Sequence, residues 1–374
     1  AGLSPHPLSS MSPLSRSKRH LLVPLLTSCA VLSLSACGED DKTPTGPVDV
    51  TVMTRNIYLG GNIFLLAQAG TRQEVPGIAG QLYKTVQATN FPERAAALAL
   101  EIEATSPALV GLQEVSLYRT QYPGDFLSNG SVNALVDAYD FLGLLQQELR
   151  KHGLDYRIAA RVKNADAELP AALGSDPNDL TDVRLTDYDV ILARGDVQTT
   201  EVVERNYENN AQVGVGGSSV TFLRGFTKVD AEVNGAKFTF VNSHVEGIMP
   251  ANEQQTHELM GLLQGYGRPL ILVGDLNTGP GSSTPGYGII SDAGFTDAWK
   301  EVGSGDGFTC CFSDKLQDTD NSRLDERIDL VFYTGEGIEP VSAEVVGDEL
   351  GDRTSSGLWP SDHAGTVVRF RINR

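Results

Sequence analysis

The sequence predicts an α/β protein in which two packed sheets are flanked by helices. Three observations support this: many short apolar or alternating segments typical of strands, a few amphipathic or Ala- and Leu-rich segments typical of helices, and the position of these helices between groups of strands. With 40% hydrophobic and 21% charged residues, the composition is globular, and 374 residues allow one large domain or two ordinary ones.

The predicted elements follow one another in mixed order. Residues 48–55 alternate apolar and polar side chains, as a half-buried strand does, and residues 92–105 have Pro in the first turn of an Ala- and Leu-rich helix. We predict further helices at 136–151 and 251–263, and further strands at 108–113, 188–193, 220–229, 237–243, 269–274, 327–333 and 366–372. We predict long polar loops at 60–90, 120–132, 163–186 and 302–325.

The first 36 residues have the layout of an export signal. The segment before Met11 resembles upstream translation, and a basic stretch then precedes a short apolar run. The run ends in Leu34-Ser35-Ala36-Cys37, which resembles the lipobox of bacterial lipoproteins, so lipid on Cys37 is expected to anchor the protein in the cell envelope. We expect a signal peptide at 1–36, a polar tether at 37–47 and one monomeric domain at 48–374. The alternatives are a buried apolar helix or an ordinary cleaved signal.

The charge balance limits the classes of function that fit the sequence. Lys and Arg total 29 against 48 Asp and Glu, a formal net charge of −19. This disfavours a protein that coats nucleic acid, because such a protein neutralises phosphates with basic side chains. The acidic net charge is compatible with an enzyme that binds phosphate through a metal ion. No uninterrupted apolar run reaches the roughly 18 to 20 residues that span a bilayer, which excludes a polytopic membrane protein.

Two cysteines, Cys310 and Cys311, remain after the expected export signal and lipidated Cys37. They are adjacent, so the sequence leaves open a vicinal disulfide or two thiols. A zinc site is not expected, because no CxxC motif or His cluster accompanies them.

Polar side chains follow several predicted strands at the point where each strand ends. They are Asn56, Glu114, His244, Asp275, Asn277, Asp329, Asp362 and His363. One such residue is usually an edge or turn residue, but a set that shares one rim forms a cluster of carboxylates, imidazoles and amides. Oxygen ligands suit Mg²⁺ or Mn²⁺, and two His residues backed by carboxylates supply a base and an acid near neutral pH. The pattern predicts metal-assisted attack of water on a phosphoester.

Seven motifs occur in a defined order over residues 49–374: RN (55–56), LQEV (112–115), NSH (242–244), GDLN (274–277), FTDAW (295–299), RID (327–329) and SDH (361–363). This set resembles the endonuclease/exonuclease/phosphatase superfamily, which has DNase I-like and sphingomyelinase-like branches. The resemblance implies a four-layer α/β sandwich with two mainly antiparallel sheets. It also implies a Mg²⁺- or Mn²⁺-dependent phosphodiesterase.

The resemblance assigns metal ligands to this chain. Glu114 matches the principal metal ligand, Asn56 matches the Asn beside it, and Asp362 matches a second carboxylate on the metal side. Some branches have Asp or Asn two residues after the first Asn, whereas this chain has Tyr58.

The resemblance assigns the acid–base groups as well. Asp275 and Asn277 match the pair that positions the attacking water and a phosphate oxygen. His363, oriented by Asp329, matches the His that contacts the scissile phosphate, and His244 matches a second His of the DNase I-like and sphingomyelinase-like branches. Which His is the base stays open.

Two further residues are predicted to bind the substrate phosphate. Arg224 resembles a phosphate-gripping Arg of the DNase I-like branch, although pairing with a surface carboxylate is an equal alternative. Tyr188 resembles a phosphate-binding Tyr. Its neighbours Asp187 and Asp189 are expected to be solvated rather than catalytic.

Three functions compete. The sequence favours a membrane-anchored nuclease acting on extracellular DNA or RNA. A phospholipid or inositol-phosphate phosphoesterase of the same superfamily is the second hypothesis. A catalytically silent surface-binding lipoprotein is the third, and it is disfavoured because the motif residues are all present.

Overall fold

The computed structural model describes residues 46–374. The predicted signal peptide, Cys37 and the tether up to residue 45 lie outside these residues, so the lipoprotein hypothesis stays a prediction. Within the described segment, no helix combines the length and apolarity that a membrane crossing requires.

Strands and helices are interleaved along the described segment. Its strands are β1 (Val48–Asn56), β2 (Leu109–Gln113), β3 (Leu117–Gln121), β4 (Val136–Asp140), β5 (Tyr156–Ala172), β6 (Leu180–Arg194), β7 (Gln198–Asn206), β8 (Ala211–Val215), β9 (Ser218–Phe222), β10 (Gly225–Val233), β11 (Ala236–His244), β12 (Leu270–Asp275), β13 (Thr296–Asp297), β14 (Asp329–Thr334), β15 (Ile338–Val346) and β16 (Gly365–Ile372). Its helices are α1 (Val75–Ala88), α2 (Phe91–Thr105), α3 (Phe126–Asn129), α4 (Phe141–Lys151), α5 (Ala251–Leu263), α6 (Gly286–Asp292) and α7 (Ala298–Val302), with 3₁₀ helices at Ile63–Gln68 and Leu350–Asp352.

Two large sheets organise these strands. The first has the order β15-β16-β1-β2-β6-β3-β4, with β5 also paired to β6, and the second has the order β13-β14-β12-β11-β10-β7. Most neighbours are antiparallel, but β1 and β2 are parallel, as are β11 and β12. Parallel neighbours end at the same edge, so each sheet brings two strand ends to one rim.

The sheets pack face to face with helices outside. Alternate residues of both sheets, such as Val50, Phe240 and Phe370, fill the space between them. Helices α1, α2 and α4 cover the outer face of the first sheet, where Phe91 stacks on Phe141 with ring centroids 3.6 Å apart. Helices α5 and α6 cover the second sheet. This helix–sheet–sheet–helix order confirms the predicted four-layer α/β sandwich.

The predicted loop at 60–90 is wrong, because it contains α1. Its glycines suggested a loop, yet Ala79, Tyr83 and Val86 recur at helical spacing on the buried face, and Pro76 lies in the first turn, where its missing N–H costs nothing. The adjacent Gly80 allows this face to touch the hairpin of β5 and β6: a Cβ there would lie 2.2 Å from the Ala172 carbonyl oxygen.

The predicted loop at 163–186 is also wrong, because β5 and β6 form a long hairpin through most of it. Its polar composition reflects exposed positions that alternate with buried ones along both strands. Two other elements differ from the prediction. The segment 136–151, predicted as one helix, contains strand β4 followed by α4, and the strand predicted at 220–229 is divided between β9 and β10. The hairpin of β8 and β9 and the edge strand β15 were not predicted.

Gly274 of the GDLN motif is required by strand packing. It lies opposite Ser243 in the β11–β12 register, and a Cβ on it would lie 1.9 Å from the Ser243 carbonyl oxygen. We expect Gly274→Ala to lower the free energy of unfolding by about 3 kcal/mol, measured by denaturant titration. Gly261→Ala is the control, since no atom lies within 4 Å of its added Cβ on α5, and it should stabilise by about 0.5–1 kcal/mol. Equal unfolding midpoints for the two variants would contradict this account.

Candidate active site

Strand register brings the predicted polar residues together at one rim. In the second sheet, Asp275 at the end of β12 lies opposite His244 of β11 and opposite Asp329 of β14. In the first sheet, Asn56 ends β1, and its side-chain amide donates to Asp275 Oδ2 at 3.0 Å. This bond joins the rims of the two sheets, so the strand ends form one cup.

The first acid–base pair is His363 and Asp329. His363 Nδ1 lies 2.8 Å from Asp329 Oδ2, and both side chains are buried. Burial opposes the charged imidazole, but the nearby carboxylates of Asp329, Asp275 and Asp362 raise the pKa of His363 well above its usual value. Asp329 therefore fixes the ring orientation and leaves Nε2 facing the cup.

The second imidazole approaches the same carboxylate. His244 Nε2 lies 3.4 Å from Asp275 Oδ2, and His363 Nε2 lies 3.9 Å from the same oxygen. Burial and Arg224 oppose protonation of His244, but Asp275 and Asp189 outweigh them and raise its pKa. The two Nε2 atoms thus face each other across Asp275, an arrangement that can deliver a proton from one side and accept one from the other.

Asp275 and Asn277 are held by short local contacts. Burial disfavours ionisation of Asp275, but His244, His363 and hydrogen bonds hold its pKa below the usual value. The Asn277 backbone N–H donates to Asp275 Oδ1 at 3.1 Å, and the Asn277 side chain donates to the Val245 carbonyl at 2.9 Å. Asn277 has φ +46°, a conformation that non-glycine residues adopt mainly where the surroundings impose it.

A group of carboxylates lies on the other side of the cup. Glu114 has φ +59° just after β2, and its Oε2 accepts the Leu59 N–H at 2.8 Å. Burial and the charge of Glu114 raise the pKa of Asp362 to about 7. Burial, Asp189 and Glu114 raise the pKa of Asp187 to about 7 as well. The charge of Glu114 thus reaches both Asp362 and Asp187, and carboxylate oxygens are donors that suit a hard divalent cation.

The predicted ligands Glu114 and Asp362 would hold such a cation, which would neutralise charge on a bound phosphate. The role of Asn56 as a metal ligand stays a prediction. Asn56 Oδ1 accepts the Tyr58 N–H at 2.9 Å and the Asn56 amide binds Asp275, so its visible role is to join the carboxylate side to the imidazole side.

The two predicted phosphate-binding residues lie in different places. Arg224 is 9% exposed, with Nη1 3.2 Å from His244 Nδ1 and Nε 3.3 Å from Glu246, so it lies inside the cup but is paired with a carboxylate. Tyr188 points to the opposite face of β6, where it packs against the outer core of the first sheet, and its ring centroid lies 4.6 Å from the Arg161 guanidinium. The structure therefore separates Tyr188 from the site, contrary to the prediction.

Asp187 and Asp189 were predicted to be solvated, and the structure shows otherwise. Both are buried rather than solvated, at 5% and 0% exposed. Asp189 accepts from the Asn164 amide at 2.7 Å and lies 3.7 Å from His244 Nδ1. Side chains alternate along a strand, so the pair enters the cup while Tyr188 between them does not.

Buried arginines that sequence reasoning missed support the cup from behind. Arg94 donates to the carbonyls of Ile57, Tyr58, Thr89 and Pro360, which ties the loop after β1 to the segment that carries Asp362 and His363. Arg55 pairs with Glu101 at 2.8 Å and also donates to the His363 carbonyl. Arg55 could have been suspected from its place in the RN motif. Arg94 carries no signal beyond a charge inside an apolar helix.

Cys310 and Cys311 are joined by a disulfide in the structure, one of the two states that the sequence left open. Cys311 Sγ lies 3.8 Å from His363 Nε2. The disulfide therefore contributes part of the wall beside the first acid–base pair.

Asp329→Asn tests the positioning of His363. An amide in place of the carboxylate removes the charge that stabilises the imidazolium and can favour the wrong ring tautomer. We expect kcat to fall by about 10²–10⁴-fold with little change in KM. Asp292→Asn, at the exposed end of α6, is the control. A fall confined to KM would show that Asp329 acts on substrate binding instead.

A four-layer sandwich with carboxylates beside two His–Asp pairs is an arrangement suited to a phosphoesterase, a class of enzyme that often uses a divalent metal ion. The family model described as "Endonuclease/Exonuclease/phosphatase family" matches residues 78–363, and the chain belongs to that family. Its members are phosphoesterase hydrolases, so the chain is a hydrolase of phosphodiesterase type.

Solved structures support the fold. An endonuclease/exonuclease/phosphatase family protein from Bacteroides thetaiotaomicron is 16% identical, with a TM-score of 0.54 and coverage of 88% of this chain and 99% of that one. A family protein from Bacteroides vulgatus is 18% identical, with a TM-score of 0.53 and coverage of 87% and 100%. One from Leptotrichia buccalis is 15% identical, with a TM-score of 0.50 and coverage of 86% and 99%. A search of curated proteins gave no match.

Proposed function

We propose that this protein is a Mg²⁺-dependent phosphodiesterase that cleaves nucleic acid as an exported, monomeric lipoprotein. The observation that carries the proposal is the position of His244 and His363, whose Nε2 atoms lie 3.4 Å and 3.9 Å from one Asp275 oxygen. Glu114 and Asp362 lie beside them on the carboxylate side of the cup. A diester needs both a base for water and an acid for the departing alkoxide, which two imidazoles supply.

The chain's own residues divide the work as follows. Asp275 and Asn277 hold the attacking water, and one imidazole accepts its proton as the bond to phosphorus forms. The other imidazole gives a proton to the oxygen that leaves. Asp329 orients the His363 ring through Nδ1, and Arg224 contacts Nδ1 of the His244 ring at 3.2 Å. Arg224 presents positive charge toward the same space, where the phosphate carries negative charge.

A phosphoester that carries an apolar group is the second candidate substrate. A cavity of about 110 Å³ adjoins the cup and is lined mainly by apolar side chains. Its lining includes Leu82, Val183 and Phe222, together with Leu59, Asp187 and Arg224 of the cup region. Such a cavity suits an acyl or aryl group of a lipid-like phosphoester better than a second phosphate, and the acidic net charge favours the same choice.

A panel of substrates at fixed Mg²⁺ separates the two candidates. Plasmid DNA and RNA should be cleaved at rates well above sphingomyelin in mixed micelles and above inositol phosphates. Faster turnover of sphingomyelin would replace the nuclease proposal with the lipid one. No turnover of any member, with the fold intact by circular dichroism, would favour the silent binding protein instead.

The anchoring proposal has its own test. In a bacterial host fed with a labelled fatty acid, the wild-type chain should incorporate label and fractionate with membranes, because lipid on Cys37 supplies the apolar anchor. Cys37→Ser should lose both the label and the membrane association, whereas Cys29→Ser should keep them. Label retained in the Cys37 variant would exclude that residue as the anchor.

A further inference from the structure

The disulfide of Cys310 and Cys311 lies against the imidazole of the first acid–base pair. Cys311 Sγ is 3.8 Å from His363 Nε2, and the two sulfurs and a ring nitrogen of His363 all lie within 4.8 Å of one another. No CxxC motif or His cluster accompanies the cysteines in the sequence, but the fold supplies an imidazole from 52 residues away. Two sulfurs and an imidazole are donors typical of protein zinc sites once both sulfurs are thiolates.

The spacing of these atoms is close to that of the ligands on one tetrahedral zinc ion. With Zn–S bonds of about 2.3 Å and Zn–N bonds of about 2.0–2.1 Å, a sulfur and a nitrogen on one zinc lie roughly 3.5 Å apart, and two sulfurs roughly 3.8 Å apart. Cys311 Sγ and His363 Nε2 are already near the first distance. Cleavage of the S–S bond would let the two sulfurs reach the second distance and would make both of them ligands.

Asp329 leaves the appropriate ring nitrogen available. It holds His363 Nδ1 at 2.8 Å, so Nε2 is the nitrogen that faces Cys311. A His that binds zinc commonly has its other ring nitrogen held by a carboxylate, which fixes the tautomer and raises the basicity of the ligand. The pair of Asp329 and His363 is therefore already arranged as a zinc-bound imidazole requires.

Backbone hydrogen bonds hold the cysteine segment beside the imidazole independently of the S–S bond. The Ala364 N–H donates to the Thr309 carbonyl at 2.7 Å, and the Phe312 N–H donates to the Asp362 carbonyl at 2.7 Å. These two bonds flank the cysteine pair on one segment and the imidazole-bearing residue on the other. Reduction of the disulfide should therefore leave both sulfurs near the imidazole.

We propose that reduction of the Cys310–Cys311 disulfide creates an inhibitory Zn²⁺ site formed by both thiolates and His363 Nε2, with water as the fourth ligand. Cys311 is partly exposed, which gives the ion access. A metal ion on Nε2 occupies the lone pair that proton transfer needs, so turnover should stop. This inhibitory role rests on the proposed function, whereas the metal site does not. Mg²⁺ does not compete for the site, because it prefers oxygen donors to thiolates.

The electrons and protons of the reduction balance. A phosphine reductant gives two electrons to the S–S bond and becomes a phosphine oxide with the oxygen of one water, whose two protons go to the sulfurs. A dithiol achieves the same reduction by exchange and ends as its own disulfide. Zn²⁺ then displaces the two thiol protons and any proton on Nε2. Since disulfides persist in oxidising compartments and are reduced elsewhere, turnover would depend on redox conditions.

Cobalt titration of the full chain tests the site without an activity assay, because Co²⁺ bound by thiolates absorbs strongly in the near ultraviolet. The phosphine-reduced wild type should show this absorption, saturating at one Co²⁺ per chain, and one equivalent of Zn²⁺ should abolish it. The unreduced protein, Cys310→Ser and Cys311→Ser should lack it. His363→Ala should bind Co²⁺ at least about tenfold more weakly, because loss of a ligand costs no less than loss of the group that orients it. The double variant Cys29→Ser, Cys37→Ser is the control and should retain the absorption.

Turnover of bis-p-nitrophenyl phosphate at saturating Mg²⁺ tests the inhibition. One equivalent of Zn²⁺ should slow the reduced protein at least about tenfold, leave the unreduced protein unchanged, and be reversed by a zinc-selective chelator. Absence of the cobalt absorption in the reduced wild type, or its survival in folded Cys310→Ser and Cys311→Ser proteins, would overturn the site. Cobalt absorption without inhibition by zinc would overturn the inhibitory role. No turnover even by the unreduced protein would count against the proposed function, and with it the inhibitory role, while the cobalt result for the site would stand.

Discussion

Replacing His363 by Ala should lower kcat/KM for a phosphodiester by about 10²–10⁴-fold, because the variant loses one of the two proton-transferring groups. His363 Nε2 faces Asp275 at 3.9 Å, and its Nδ1 is held by Asp329. The backbone contacts of this segment, including the bond from Arg55 to the His363 carbonyl, do not involve the imidazole. The fold should therefore survive, and steady-state kinetics with circular dichroism measures both parts.

His257→Ala is the matched control. His257 is exposed on α5, and the same imidazole is removed without touching the cup. Its kinetics should equal those of the wild type. If His363→Ala retained wild-type turnover, the imidazole would have no part in proton transfer and the acid–base account would fail.

Glu114→Gln should reduce turnover to near background at low Mg²⁺ and raise the Mg²⁺ concentration for half-maximal activity by at least about tenfold. The amide keeps the shape of the side chain but removes a charge, and a hard cation binds an amide oxygen more weakly than a carboxylate. One charge fewer beside Asp362 and Asp187 also reduces their mutual repulsion, so stability should not fall. Activity measured across a Mg²⁺ titration gives the shift.

The control for this charge change is Glu336→Gln. Glu336 is exposed and lies away from the rim of the two sheets that carries the active site. Its Mg²⁺ dependence should be that of the wild type. An unchanged Mg²⁺ requirement in Glu114→Gln would remove Glu114 from the metal site.

The site was predictable where a titratable side chain ends an apolar, buried strand. Asp275 follows the apolar run of β12, and His244 ends β11. A titratable residue at such a position is costly unless it meets a partner, so several of them together indicated one rim. The motif order then indicated the family, which the family match confirms.

Prediction from the sequence failed where the register of a strand decides the direction in which a side chain points. Residues 163–186 were predicted to be a loop, so β6 was expected to begin only at 188. With the strand extended back to Leu180, alternation sends Asp187 and Asp189 into the cup and Tyr188 away from it. The exposed positions of the hairpin are polar, so its alternation of buried and exposed residues is hard to recognise in the sequence.

Contacts between distant segments escaped prediction for a different reason. Arg94 binds carbonyls of Ile57 and Pro360, which are 37 and 266 residues away. No local pattern encodes such a contact, because it arises only when the helix, the loop after β1 and the C-terminal segment pack together.

Turnover of bis-p-nitrophenyl phosphate after removal of metal with EDTA tests the central claim most directly, because this diester needs neither a nucleobase nor a lipid pocket. We predict loss of hydrolysis by the stripped wild type and its recovery when Mg²⁺ or Mn²⁺ is restored, with no recovery by His363→Ala. Equal hydrolysis before and after EDTA treatment would contradict the claim that the carboxylates and imidazoles at the strand ends form one metal-dependent centre.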